Sequence, residues 1–165
     1  MMKIFYWGPY ISKVATVRAI IESARSLKKY SKEKIDLSLI DTSGEWRDFK
    51  DKKINIIHLN GEKRVKNKEI VGFIKSRYHF FLIWISSFFP LLTLLKKDKP
   101  NFLIVHLITS LPLFLLLFFK FDTNFILRIS GYPKLTIIRK ILWKLVSKKI
   151  FKVTCPTLGT YNRLK

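Results

Sequence analysis

The residues best suited to chemistry in this chain stand where short apolar runs end. Pro100-Asn-Phe-Leu-Ile-Val-His106-Leu-Ile-Thr109-Ser110-Leu-Pro112 passes from β-branched and aromatic residues to a histidine, then to a Thr-Ser pair and a proline. That order reads as strand, loop and helix, with Ser110 or Thr109 as the helix cap and Pro112 inside the first turn. Asn124-Phe-Ile-Leu-Arg128-Ile-Ser130-Gly131-Tyr-Pro133 is a second strand running into a turn, and Lys3-Ile-Phe-Tyr-Trp7 runs into Gly8-Pro9-Tyr10. Ligands of open parallel sheets sit beyond the carboxyl ends of the strands. Gly8, Pro9, Tyr10, His106, Thr109, Ser110, Arg128, Ser130 and Gly131 are therefore the candidate binding residues. An arginine there can grip a phosphate through two parallel N–H bonds, or it can pair with an acid such as Asp122. Gly8 lacks a Cβ and lets the backbone approach a ligand, although an ordinary strand-to-helix turn uses the same residues. The helix that follows aims N–H groups and a positive dipole end at the cleft, which suits a phosphate or diphosphate. His106 has an equally simple structural reading as a hydrogen-bonded strand-end histidine. Cys155, before Pro156, reads as packed at a strand end.

These residues need a scaffold of alternating strands and helices. Further strands are expected over Ile35 to Ile40, closed by Asp41-Thr-Ser-Gly44, over Lys53 to Leu59, and over Ile150 to Thr154. Between Trp7 and Ile35, Val14, Val17, Ile20, Ile21, Ala24 and Leu27 recur at helical spacing behind Ser12 as a cap. A short helix is expected near Glu69 to Arg77, another helix over Leu135 to Lys149, and one more opening at Thr157. The alternation predicts an α/β fold, a Rossmann-like open parallel sheet with helices on both faces, in one domain over residues 1–165.

With 48% hydrophobic residues the chain is too apolar to be disordered. One cysteine excludes an internal disulfide framework or thiol metal site, and points to a reducing compartment. The N-terminus lacks a signal-peptide layout. The net charge of +21 implies an anionic partner, although 24 lysines against 8 arginines also fits simple base-composition bias. From Asn101 to Lys165 the only acid is Asp122, against eleven Lys or Arg. Nucleic acid is not the expected partner, because the aromatic residues lie in apolar runs rather than among basic ones. Tyr78 to Leu95 and Asn101 to Phe119 hold no charged residue for eighteen and nineteen positions, so each is long enough to span a bilayer. Two spans would place His106, Thr109, Ser110 and Pro112 in mid-membrane at high cost. A helix at Phe80 to Leu95 lying in the interface, flanked by Trp84, Lys96 and Lys97, fits better. Lys140, Lys144 and Lys148 form an i, i+4 stripe suited to anionic headgroups, or to plain solvent. The expected location is cytoplasmic, peripheral at the inner face of the cell membrane.

Four pieces together resemble the N-terminal, acceptor-side half of GT-B-fold glycosyltransferases of the large retaining family 4. They are Gly8-Pro9-Tyr10, Val105-His106-Leu-Ile-Thr-Ser-Leu-Pro112, Arg128-Ile-Ser-Gly-Tyr-Pro-Lys134 and Lys152-Val-Thr-Cys-Pro-Thr157. The resemblance spans essentially the whole chain and implies one half of a GT-B fold. It implies a lipid-linked or glycan acceptor in cell-envelope polysaccharide synthesis. The donor-binding domain of such enzymes, with its pair of spaced glutamates, is absent from these 165 residues. The nucleotide-sugar donor is then expected with that other domain, on a separate chain or otherwise, and this chain alone is expected to bind no cofactor and to transfer no sugar. Where many members carry a histidine near the transferred sugar, this sequence has Ser130-Gly131. No catalytic residue is carried across.

Overall fold

The computed structural model describes residues 1–10, 15–60, 73–131 and 136–164. Six strands form one sheet: β1 (Met2–Trp7), β2 (Ile35–Asp41), β3 (Asn55–His58), β4 (Phe102–Val105), β5 (Asn124–Arg128) and β6 (Lys152–Thr154). Their spatial order is β3-β2-β1-β4-β5-β6 and every pairing is parallel. The strand order reverses beside β1, between β1 and β4. There the crossovers leave in opposite directions and open a crevice at the carboxyl ends.

The helices are α1 (Ala15–Tyr30), α2 (Phe73–Asp98), α3 (Ser110–Phe118), α4 (Ile137–Val146) and α5 (Leu158–Leu164), with a 3-10 turn at Ser147–Lys149. The strands are apolar on both sides because both sides are covered. Ile4, Tyr6, Leu37, Leu39 and Ile104 pack with Ile20 and Ala24 of α1 on one face. Phe5, Trp7, Leu103, Val105, Phe125 and Leu127 pack with Leu91 and Leu95 of α2 and with Leu111, Leu115 and Leu116 of α3 on the other.

All six expected strands are present, within a residue or two of their expected ends. Ser12 and Val14, the expected start of α1, lie outside the described residues, as does most of the short helix expected near Glu69. The described part of that segment belongs to α2, a continuous helix from Phe73 through Pro90 to Asp98. It is the one described helix long and apolar enough to cross a membrane by length and composition. The second apolar run is no span. It divides into β4 and α3, because Leu103, Ile104 and Val105 find partners on both β1 and β5, and the chain turns at Ile108 with φ of 47°. The α3 cap also departs from expectation. Thr109 takes the cap position with helical backbone angles (φ −66°, ψ −19°), and its side chain makes no capping bond. Pro112 does lie buried in the first turn. Thr157 caps α5 as expected, its Oγ1 accepting from the Thr160 amide at 3.1 Å.

Candidate functional site

Beyond the carboxyl ends of β4 and β5 lies a cleft of about 310 Å³, lined by His106, Thr109, Arg128, Ser130, Gly131, Arg139 and their apolar neighbours Phe80, Ile129 and Trp143. Five of the sequence-selected residues meet here, brought from chain positions 106 to 131 by the pairing of β4 with β5. The register aligns the strands in step, Val105 opposite Leu127, so His106 and Arg128 sit side by side.

His106 continues β4 by one residue, its amide donating to the Trp7 carbonyl at 2.9 Å. Its imidazole stacks on Tyr6 with ring centres 5.6 Å apart. It is 4% exposed, and neither Nδ1 nor Nε2 has a hydrogen-bond partner. Burial, aided by the Arg128 charge, pushes its pKa down to about 3. The ring is therefore neutral near pH 7, with one donor and one acceptor unused. A buried polar group without a partner costs roughly 1–3 kcal/mol. Two on one ring, in a residue that lines the cleft, make His106 the candidate ligand-binding group. The buried Ser110 Oγ at the start of α3 is orphaned as well, and so is the Trp143 Nε1.

Arg128 closes β5. Its Nη1 donates to Ser23 Oγ on α1 at 2.8 Å, and Ser23 shares a 3.0 Å hydrogen bond with the Tyr6 hydroxyl. Burial pushes the Tyr6 hydroxyl pKa up, against the pull of Ser23 and Arg128. The alternative pairing of Arg128 with Asp122 does not form: Asp122 binds Lys99 at 2.8 Å on the exposed amino side of the sheet. Arg128 makes no ion pair among the described residues, so its charge is available to an anion.

Gly8, Pro9 and Tyr10 do not line this cleft. Gly8 is buried. A Cβ there would stand 2.5 Å from Ile20 Cδ1 and 3.8 Å from His106 Cβ. Its small size serves the close approach of α1 and the β4 end, not of a ligand. Tyr10 turns away from the cleft, its hydroxyl donating to the Glu45 carbonyl and its ring meeting Trp46 edge-on at 5.3 Å. Gly131 has open space around it and no positive φ, so nothing in its backbone demands glycine.

Among the expected membrane-facing residues, Trp84 is a correction. It packs inward on Phe88 (5.5 Å) and Phe114 (5.3 Å), because α2 buries that face against α3. Lys96 lies over the Phe119 ring at 5.1 Å. Lys97, Lys140, Lys144 and Lys148 are exposed.

Sequence reasoning missed Ser23, Tyr6 and Arg139. Ser23 lies mid-helix with nothing to mark it, and Tyr6 reads as a core strand residue. Arg139 follows the Thr136 cap by three residues, in a first turn of α4 that only the folded chain brings to the cleft. The described residues contain no cluster of three metal-ligating side chains. Compared with protein-family models, with curated proteins and with solved structures, the chain matches none.

Proposed function

We propose that this chain is the acceptor-binding half of a nucleotide-sugar-dependent glycosyltransferase of cell-envelope polysaccharide or lipid-linked glycan synthesis. The donor sugar nucleotide would be held by a separate donor-binding domain. The observation that carries the reading is His106: a buried, neutral, doubly unpartnered imidazole beside the Arg128 guanidinium, at the switch point of a parallel sheet. Two hydroxyls of a sugar can use the two ring nitrogens, one donating to the bare nitrogen and the other accepting from the N–H. Arg128, Arg139 and the α3 N-terminus supply positive potential for a phosphate on the same ligand. With its pKa held so low, His106 is a weak proton acceptor, so its part is to orient the acceptor hydroxyl. Stabilisation of the departing nucleotide diphosphate would come from the donor side.

The test is calorimetric binding of a short-chain prenyl diphosphate-linked hexose, with inorganic pyrophosphate and free hexose as controls. The linked sugar is expected to bind most tightly. Arg128→Gln should weaken it roughly 10- to 100-fold, as loss of a charged hydrogen bond does. Equal affinity for all three probes, or an unchanged Arg128→Gln, would sink the proposal. The purified chain should show no hexose transfer from a sugar nucleotide, and measurable turnover would overturn the half-enzyme reading.

A further inference from the structure

The helical layer that covers the α2–α3–α4 face of the sheet has an outer surface that is apolar where a solvated layer would be polar. On α4, Ile137 and Ile138 are 78% and 80% exposed, and Ile141 and Leu145 are 54% and 56% exposed. At about 100° per residue these four side chains form one outward stripe. The helix has its apolar side turned out: among the described residues of α4 only Val146 is buried. Lys140 and Lys144 run along one edge of that stripe, and Lys148 follows in the next turn. On α2, Tyr78, Phe81, Ile85 and Phe89 recur at three- and four-residue spacing, all exposed, opposite the buried Ile83, Leu91 and Leu95.

Charge identifies what this surface meets. Across α2, α3 and α4 the only acid is Asp98, in the last turn of α2, while Lys75, Arg77, Lys96, Lys97, Arg139, Lys140 and Lys144 are all basic. A second copy of this chain would bring an equally basic face against it. An apolar stripe with a lysine margin and almost no acid complements the interface of an anionic bilayer, where apolar side chains enter the acyl boundary and ammonium groups reach the headgroups.

We infer that the outer face of α4, with the exposed stripe of α2, docks this protein flat on an anionic membrane. Ile137, Ile138, Ile141 and Leu145 enter the lipid, and Lys140, Lys144 and Lys148 bind the headgroups. The inference stands apart from the proposed sugar chemistry, since none of these seven side chains lines the His106 cleft.

Flotation of the full chain with vesicles tests it. Phosphatidylcholine vesicles containing one-third phosphatidylglycerol are expected to carry the protein upward, and pure phosphatidylcholine vesicles to leave it below. Replacing Lys140, Lys144 and Lys148 with glutamine together should weaken binding by about a hundredfold, from about 1 kcal/mol per lysine. Ile138→Asp with Ile141→Asp should weaken it at least about tenfold. Both sites are exposed, and an unchanged circular dichroism spectrum confirms that each variant folds. A separate measurement, tryptophan introduced by Ile141→Trp and quenched by brominated anionic lipid, should report insertion of α4 itself. Absence of flotation, equal flotation with both vesicles, or binding that neither set of substitutions changes would overturn the inference. So would a concentration-dependent dimer that Ile138→Asp abolishes while vesicle binding persists.

Discussion

Two buried polar clusters lie on either side of β1 along the carboxyl edge of the sheet, and they differ in how completely they are satisfied. Beyond β2, Asp41 and Glu45 are 3% and 6% exposed, yet all four carboxylate oxygens have partners. Asp41 accepts from the Gly44 amide at 2.9 Å and meets His58 Nδ1 at 2.6 Å. Glu45 accepts from the amides and hydroxyls of Thr42 and Ser43 at 2.7–3.0 Å. Beyond β4, His106 and Ser110 have none. A saturated network consumes its own bonding capacity and holds a loop. An orphaned group stores unmet capacity that a ligand can use. Burial alone would have marked both clusters as functional, and partner accounting separates them.

The sharpest way to break this contrast is acid–base titration of stability, because burial acts on the two clusters with opposite sign. His106 has its pKa lowered from 6.5 to about 3. Its unfolded form binds the proton first, so its contribution is present above pH 6.5 and is lost as pH falls toward 3, about 5 kcal/mol at most. Glu45 has its pKa raised from 4.5 to about 7 by burial and by Asp41. Its folded form holds the proton, so its contribution is present below pH 4.5 and fades as pH rises through 7, about 3 kcal/mol at most. Between pH 4.5 and 6.5 the two slopes oppose. In His106→Leu, denaturant-derived stability should fall from pH 4.5 to 7. In Glu45→Gln it should climb from pH 3 to 6.5 and then level off. Identical pH profiles for the two variants would erase the distinction. Nuclear magnetic resonance of the His106 ring should show no titration above pH 5.

A smaller effect is expected at the boundary between the clusters. Gly8→Ala drives a methyl into Ile20, which is fully buried, and should cost about 1–3 kcal/mol as overpacking does. Urea unfolding measures this, and a shift of the His106 ring resonances should accompany it, since His106 Cβ is the next neighbour. No loss of stability would mean that Gly8 faces space rather than packing.

The smallest effect belongs to the saturated loop. Tyr10→Phe removes the bond to the Glu45 carbonyl and should cost about 1 kcal/mol by thermal unfolding. Binding of the prenyl-linked hexose should be unchanged, because Tyr10 belongs to the loop and not to the cleft. Weakened binding would join the two regions into one site.

The strands, their parallel arrangement and the candidate residues His106, Thr109, Arg128, Ser130 and Gly131 were legible from the amino-acid sequence. β-branched runs ending at turn residues reflect local backbone preference and two-sided burial, and both are written in residue type. The apolar stripe of α4 has a 3.6-residue period visible without coordinates, but that it faces outward is a property of the fold alone. Other features depended on how distant segments met. Whether Gly8 faces a ligand or Ile20 depends on the approach of α1. Whether Arg128 pairs with Asp122 or Ser23 depends on which end of the sheet each occupies. Trp84 looked like an interfacial anchor, yet it is half-buried against Phe88 of α2 and Phe114 of α3. The apolar run from Asn101 to Phe119 had the length of a span, and only hydrogen-bonding partners on β1 and β5 could divide it into strand and helix. Composition and periodicity set what each segment can become. Partner satisfaction, the property that marks His106, depends on neighbours such as Tyr6 and Trp7 of β1 and Arg128 of β5, and so it exists only once the chain has folded.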